Sequence, residues 1–558
     1  APVYYGLRGE YCLECETDAP GANCTHGDEQ VFDLVFSLPG WWHREKCPYF
    51  APCEPKWACL GNNLCERGYT GDRCSQCIKG EYYRINGECE KCPDQPWLVI
   101  VFFFAGALCA CAVGWALNSR QVNVAFISIG IDYFQVLALF SRARVRWPDL
   151  LRDIFRILSA FNLNLELAAP ECAIPDVTYT MKWMFTMALP LAAAASLIAM
   201  YWVRLLHKAS RQGIRDKKRL REHYYQHVSI MVVIMYFLYL ILTRTTLDVF
   251  NCTPTDPPDG HEYMSGMTDV ICWESEVHLT LVPLAALTLL VYVIACPVFW
   301  FVHLRRNKDK VKYDQILRAL GGLREKHLML FFFRVQWHRL YYLFKPGKWY
   351  WVLLILMRKF LIAFTSLMFR ATPNYQLAVA LLVVFAAYAL QVRHTPYMSP
   401  GDAEQVLSQH AMMAELPGKD GKVNVHSVIK GKIEAVEKAN NPEGTRQSGA
   451  WREAARQKHY NDLQDDSREA NYIAMLLIDY NTVESVLLAC AVLVCLSGIM
   501  FLSARFSGEL ATYYKSEYDS LAVAVATLII LSCIYFLVVL SFEIWYLVNR
   551  DAAERFVK

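Results

Sequence analysis

From Pro96 onward the chain returns repeatedly to apolar runs of the length needed to cross a bilayer, and that recurrence limits its fold more than any other feature. A helix rising 1.5 Å per residue spans about 30 Å of hydrocarbon in roughly 20 residues. Runs of that kind fall at about 97–117, 122–141, 179–205, 228–248, 278–303, 349–369, 375–392, 475–503 and 519–548. The second and seventh are short or interrupted by polar groups. The composition agrees: 55% of residues are hydrophobic and only 20% charged, an excess that a soluble core of this size does not need. The expected fold class is therefore an all-α polytopic membrane bundle of about nine transmembrane helices. The small net charge of +3 gives no reason to expect a nucleic-acid partner; membrane lipids are the expected surroundings.

Loop charge predicts the orientation, because short basic loops stay in the cytosol. Residues 204–226 carry Arg204, Lys208, Arg211, Arg215, Lys217, Lys218, Arg219 and Arg221, and 304–348 is as basic. Residues 249–277 have no Lys or Arg and six acids. The N-terminus and 249–277 are thus expected outside and the C-terminus in the cytosol, in the plasma membrane or another secretory-pathway or ciliary membrane. The two N-x-[ST] sequons, at Asn23 and Asn251, fall on the expected outer side as glycosylation sites. Residues 148–167 show helical apolar spacing and are expected to lie in the outer interface. Residues 327–344 form an aromatic counterpart on the cytosolic side. The remaining divisions are an extracellular domain over 1–95, helices one to seven within 96–397, a cytosolic insertion at 398–470, helices eight and nine within 471–548, and a tail at 549–558. The Ala-, Lys- and Glu-rich insertion is a candidate cytosolic partner site.

Cysteine usage divides the chain the same way. Eleven cysteines crowd the first 92 residues: Cys12, Cys15, Cys24, Cys47, Cys53, Cys59, Cys65, Cys74, Cys77, Cys89 and Cys92. That density marks an oxidising compartment. With Ala1 in place of Met, the translated product is expected to extend upstream as a signal or a larger ectodomain. Within 59–92, Cys65–Cys74 fits C-x-x-G-[YF]-x-G-x-x-C, with Gly68 and Gly71 allowing tight turns and Tyr69 supplying the core. So small a unit needs covalent staples. This spacing resembles EGF-like and laminin-type modules, and the following Cys74-x2-Cys77…Cys89-x2-Cys92 resembles ephrin-receptor-type cysteine repeats. The resemblance implies a small disulfide-rich β ectodomain that contacts an extracellular protein or the upstream chain. Zinc is the rival use of the C-x2-C pairs, but the outer location disfavours it. Calcium-binding EGF signatures are absent. Cys252 and Cys272 share the outer loop and can pair. Eleven is odd, and two partners are open for the last cysteine: Cys172, or a cysteine upstream.

Ionisable groups at membrane depth are functional candidates because each is costly unless paired or hydrated. They are Asp132 with Gln135 nearby, Arg358 and Lys359, Asp479 and Glu484, and Glu543. The simplest reading pairs Arg358 with Asp132 or Glu484 and orders the helices; a polar pathway and lipid-headgroup contact are the alternatives. The stretches Ile129–Val136, Phe161–Leu165 leading to Ala169–Cys172, Lys348–Trp351 running to Lys359, and Asn481–Glu484 resemble multipass surface proteins of algae and protists. Their bundles are distantly similar to transient-receptor-potential and polycystin-type channels. The resemblance implies a channel-like or sensory membrane protein, although the 504–518 connection is short for a pore helix and filter. The alternative is a non-conducting anchor or adhesion receptor tethering an extracellular assembly. No catalytic motif, metal set or cofactor-binding signature is present, so no enzyme is expected, and oligomeric state is left open.

Overall fold

The computed structural model describes residues 4–6, 13–14, 21–23, 30–31, 36–43, 50–53, 55–85, 88–101, 105, 125–140, 145, 147–159, 169–212, 217–254, 260–319, 331–369, 372–398, 479–506 and 510–548. The helices are α1 (Ala125–Phe140), α2 (Asp149–Leu158), α3 (Tyr179–Gln212), α4 (Lys217–Asp248), α5 (Glu276–Arg306), α6 (Lys308–Ala319), α7 (Phe331–Tyr341), α8 (Trp351–Met368), α9 (Pro373–His394), α10 (Tyr480–Phe501) and α11 (Lys515–Val548). Seven of them, α3, α4, α5, α8, α9, α10 and α11, are long and apolar enough to cross a membrane. That count covers described residues and departs from the expected nine. The run at 97–117 lies almost wholly outside them, as do 399–478 and the tail at 549–558. The run at 122–141 yields α1, whose apolar helix is 16 residues long and short for a crossing.

The bundle core is made where α1, α4, α8, α9, α10 and α11 meet, around Phe126, Leu137, Tyr341, Leu356, Val384, Leu487 and Ile529. Gly130 lets α1 approach α11: a Cβ there would stand 2.1 Å from the Phe536 ring. Helix α5 is continuous but wound as a π-helix over Leu289–Ala295, just ahead of Pro297. A proline cannot donate to the carbonyl four residues back and its ring crowds that carbonyl. The Val293 oxygen so released accepts the Tyr239 hydroxyl of α4 at 3.3 Å.

At the end of the bundle opposite the disulfides, α6 and α7 pack through a buried polar network. The fully buried Asp314 accepts from Arg334 Nε at 2.6 Å and Tyr341 Oη at 3.0 Å, and Gln315 Nε2 donates to the Tyr341 carbonyl at 2.9 Å. Burial pushes the Asp314 carboxyl above its ordinary pKa, with Arg334 and Tyr341 opposing. Within the aromatic segment expected over 327–344, the described residues are helical over Phe331–Tyr341.

The described N-terminal strands form one small three-stranded sheet and several two-stranded pairs, and those over 50–91 are stapled by disulfides. Cys53 pairs with Cys59, Cys65 with Cys74, and Cys77 with Cys89. Consecutive cysteines bond, so each staple closes a tight local loop. Cys12, Cys15, Cys24 and Cys47 lie outside the described residues. Tyr69 is buried among Cys53, Cys59 and Cys74, and its hydroxyl accepts from the Cys89 amide at 3.0 Å. Gly68 has φ +97° and its missing Cβ leaves room for the Tyr82 ring, a position only glycine fills without strain.

This module is fastened to the helices in three ways. Cys92 bonds to Cys172, in the short turn Pro170–Ala173, which Glu171 ties to Lys182 of α3. Helix α2 buries Leu151, Phe155 and Leu158 against the bundle, and its opposite face carries Arg152, 3.5 Å from Glu88, and Arg156, paired with Glu90. Residues 149–158, part of the stretch expected in the outer interface, therefore bridge module and bundle. Finally, the buried Arg73 lies 4.4 Å from the centre of the Tyr263 ring, in the three-stranded hairpin sheet between α4 and α5.

In that hairpin Cys252 bonds to Cys272. His278, fully buried, uses Nε2–H to donate to the Val249 carbonyl at 3.0 Å and Nδ1 to accept the Trp273 amide at 3.0 Å. Cys252, Cys272 and His278 lie together, but with the sulfurs bonded and both imidazole nitrogens engaged no donor is left over for a metal. Asn251 is 3% exposed, which leaves its amide little room for a glycan in the folded loop. Replacing Asn251 with Gln is expected to leave the electrophoretic mobility of secretory-pathway material unchanged before and after endoglycosidase. Cys92→Ser with Cys172→Ser is expected to cost about 4 to 5 kcal/mol in the chain-entropy view, the closed loop being 80 residues. Thermal unfolding of the purified double variant measures it.

Candidate functional site: a buried charge cluster

Four ionisable side chains meet between the helices: Asp132 on α1, Arg358 and Lys359 on α8, and Glu484 near the start of α10. Their residue exposures are 2%, 7%, 1% and 4%. Arg358 and Lys359 are adjacent in sequence, so on a helix their side chains diverge by about 100° and can reach different partners. Arg358 Nη1 donates to Glu484 Oε1 at 2.7 Å, and its Nη2 stands 4.0 Å from Asp132 Oδ2. Lys359 Nζ lies 2.7 Å from Asp132 Oδ1, as an ion contact rather than a well-directed hydrogen bond. Two cations face two carboxylates, and the cluster has no net charge.

Tyr236 on α4 completes the arrangement. Its hydroxyl donates to Asp132 Oδ2 at 2.6 Å, and Lys359 Nζ sits 4.3 Å from the centre of its ring. An ammonium over an aromatic face gains from the ring quadrupole, more so out of water. Four helices are thereby tied at one depth. A cavity of about 10 Å³ adjoins Asp132, Arg358 and Glu484 and is otherwise walled by apolar side chains such as Ile129, Ile362, Val384 and Leu487. It holds about one water.

The other charges singled out by the sequence do not join this cluster. Asp479 is the N-cap of α10: its carboxylate accepts from the amides of Asn481 and Thr482 at 3.2 and 3.1 Å, which satisfies orphan donors of the first turn. Glu543, on α11, accepts from Tyr480 Oη at 2.7 Å. Gln135 is buried on α1, one turn beyond Asp132. Next to the cluster, Asn481 grips the backbone of Tyr397: its Oδ1 accepts the Tyr397 amide at 2.8 Å and its Nδ2 donates to the Tyr397 carbonyl at 2.9 Å. The two chain segments bordering 399–478 are thus held together.

Sequence reasoning missed Tyr236 and Tyr397. A tyrosine in an apolar helix, like Tyr236, or just past the end of one, like Tyr397, is usually a packing residue, and only their depth beside charged partners distinguishes them. Chemically, each charge in the cluster has an opposite partner within 4.0 Å, while Arg358 Nε meets no hydrogen-bond acceptor among the described residues.

With this geometry in view, the chain is defined as a mostly helical protein with seven candidate membrane-crossing helices and a disulfide-rich N-terminal region, features of a membrane protein of the secretory pathway. It is 22% identical over 391 residues to the cysteine repeat modular protein A of Toxoplasma gondii, a match that takes in 57% of this chain. The chain spans only 12% of that relative's length. No protein-family profile matches the sequence, so the likeness to transient-receptor-potential and polycystin channels finds no support there. No solved structure matches it either.

Removing one partner of a buried pair strands the other, at a cost of about 3–5 kcal/mol. Arg358→Met is therefore expected to lower the thermal stability of detergent-purified protein sharply, and Arg358→Met with Glu484→Leu to recover much of the loss. The Lys359→Met and Asp132→Leu pair should behave alike. Equal melting temperatures for the single and paired variants would refute the assignment.

Proposed function

We propose that this chain is a non-conducting membrane anchor that presents a disulfide-stapled extracellular module on a rigid helical base. The observation that carries the reading is the charge cluster. A conduction path past Asp132, Arg358 and Glu484 needs hydrated, exchangeable groups, whereas here the charges are paired with each other beside space for about one water. Paired this way they do what interhelical hydrogen bonds do in lipid, holding helices in one order.

Two further features support an anchor. The module is joined to the bundle by a covalent bond, by two ion pairs to α2 and by the Arg73–Tyr263 contact, so a pull on the N-terminal side is resisted by the helices. The name of the Toxoplasma relative, a cysteine repeat modular protein, supports a longer array of cysteine modules as what is held. The module's expected partners are accordingly the upstream chain or an extracellular protein. No covalent chemistry is assigned to the chain.

Reconstituted into liposomes, the full chain is expected to pass ions no faster than empty vesicles. Sustained flux that Arg358→Met abolishes would overturn the proposal and restore a channel.

A further inference from the structure

Where α5 leaves its apolar run, the surface changes abruptly. Residues 305–312 carry five cations, Arg305, Arg306, Lys308, Lys310 and Lys312, against the single acid Asp309, five minus one giving +4. All five cations are exposed. Leu304, Val311, Asp314 and Gln315 are buried, so the stretch is two-faced: one side locks onto α7 and the other is cationic. Lys310 donates to Asn307 Oδ1 at 3.1 Å and Arg305 leans over the Phe301 ring. Among the described residues, Arg306, Lys308 and Lys312 meet no carboxylate.

The apolar residues before the strip are exposed too. Val298, Phe301 and Val302 lie within two turns of Arg305 and face outward. Val298, Phe301 and Arg305 are spaced three and four residues apart, along one stripe of the helix. Exposed apolar surface that passes directly into unpaired cations at the end of a membrane-crossing helix matches the two halves of a phospholipid. A water-soluble acidic peptide would use the cations and leave Val298 and Phe301 without a role.

We propose that the Arg305–Lys312 strip binds the headgroup of an anionic phospholipid whose acyl chains lie over Val298, Phe301 and Val302. The proposal rests on the membrane-spanning reading of α5. Clustered cations beside a membrane helix gain affinity from anionic headgroups, and the gain accumulates with each cation.

The test is lipid retention by the full chain, reconstituted in nanodiscs of equal phosphatidylserine and phosphatidylcholine, then released into detergent and weighed by native mass spectrometry. Wild type is expected to keep phosphatidylserine over phosphatidylcholine by about tenfold or more. The variant R306Q/K308Q/K312Q should lose that preference while keeping its melting temperature. The control K217Q/K218Q/R219Q removes the same charge at the start of α4 and should keep it. No preference in wild type, or equal loss in both variants, would overturn the proposal. So would binding of a poly-glutamate peptide without lipid preference. Failure to enter nanodiscs at all would instead count against the membrane reading on which it stands.

Discussion

The bundle depends on the meeting of Arg358 and Lys359 with Asp132 and Glu484. No arrangement of α1, α8 and α10 that separates these groups leaves a tolerable state, because an unpaired charge at that depth is opposed by several kcal/mol. The helices' apolar faces cannot specify such an order alone, since lipid chains are as apolar as the residues they would replace. Charge pairing supplies the specificity, and Tyr236 extends it to a fourth helix. The energy of such pairs lies in avoiding the broken alternative more than in net gain over a well-packed apolar core. Their use here is to fix register.

A second constraint acts at the end of the bundle where the disulfides lie. Among the described residues the N-terminal module buries Phe50, Ala58, Tyr69, Tyr83, Ile85 and a few half-cystines, a small core for a unit to stand on alone. Local disulfides close its hairpins, and Cys92–Cys172 then makes its last strand part of the helical domain. Helix α2 serves both sides, with leucines and Phe155 on the bundle and Arg152 and Arg156 on the module. Exposed ion pairs of that kind contribute little stability individually; beside a covalent tie, they set orientation.

Much of this was legible in the residues, and the limits have physical causes. The cysteine spacing announced short stapled hairpins because Gly68, Tyr69 and Gly71 answer to local backbone geometry. Arg358 and Lys359 stood out because two cations in an apolar run must have partners. The partner of Arg358 was narrowed to Asp132 or Glu484 without a choice between them, because nothing local ranks two carboxylates on different helices; Asp479, five residues before Glu484, caps the same helix. Asn251 sits in a valid sequon, yet its burial comes from the fold of the loop around Cys252–Cys272. The π-wound stretch of α5 follows from Pro297, but the tyrosine that answers the freed carbonyl comes from another helix.

The sequence by itself determined the apolar crossings, the oxidised cysteine-rich region and the need for internal charge partners, all properties of a residue and its near neighbours. The tertiary structure decided that Asp132 serves Lys359 and Tyr236 while Glu484 serves Arg358, that Cys172 meets Cys92, and that α2 bridges module and bundle. Those outcomes depend on which surfaces lie within a few ångströms after packing, and charge and hydrogen-bond energies fall away over that distance. A linear pattern can state that a buried charge needs a partner; only the packed helices select which one.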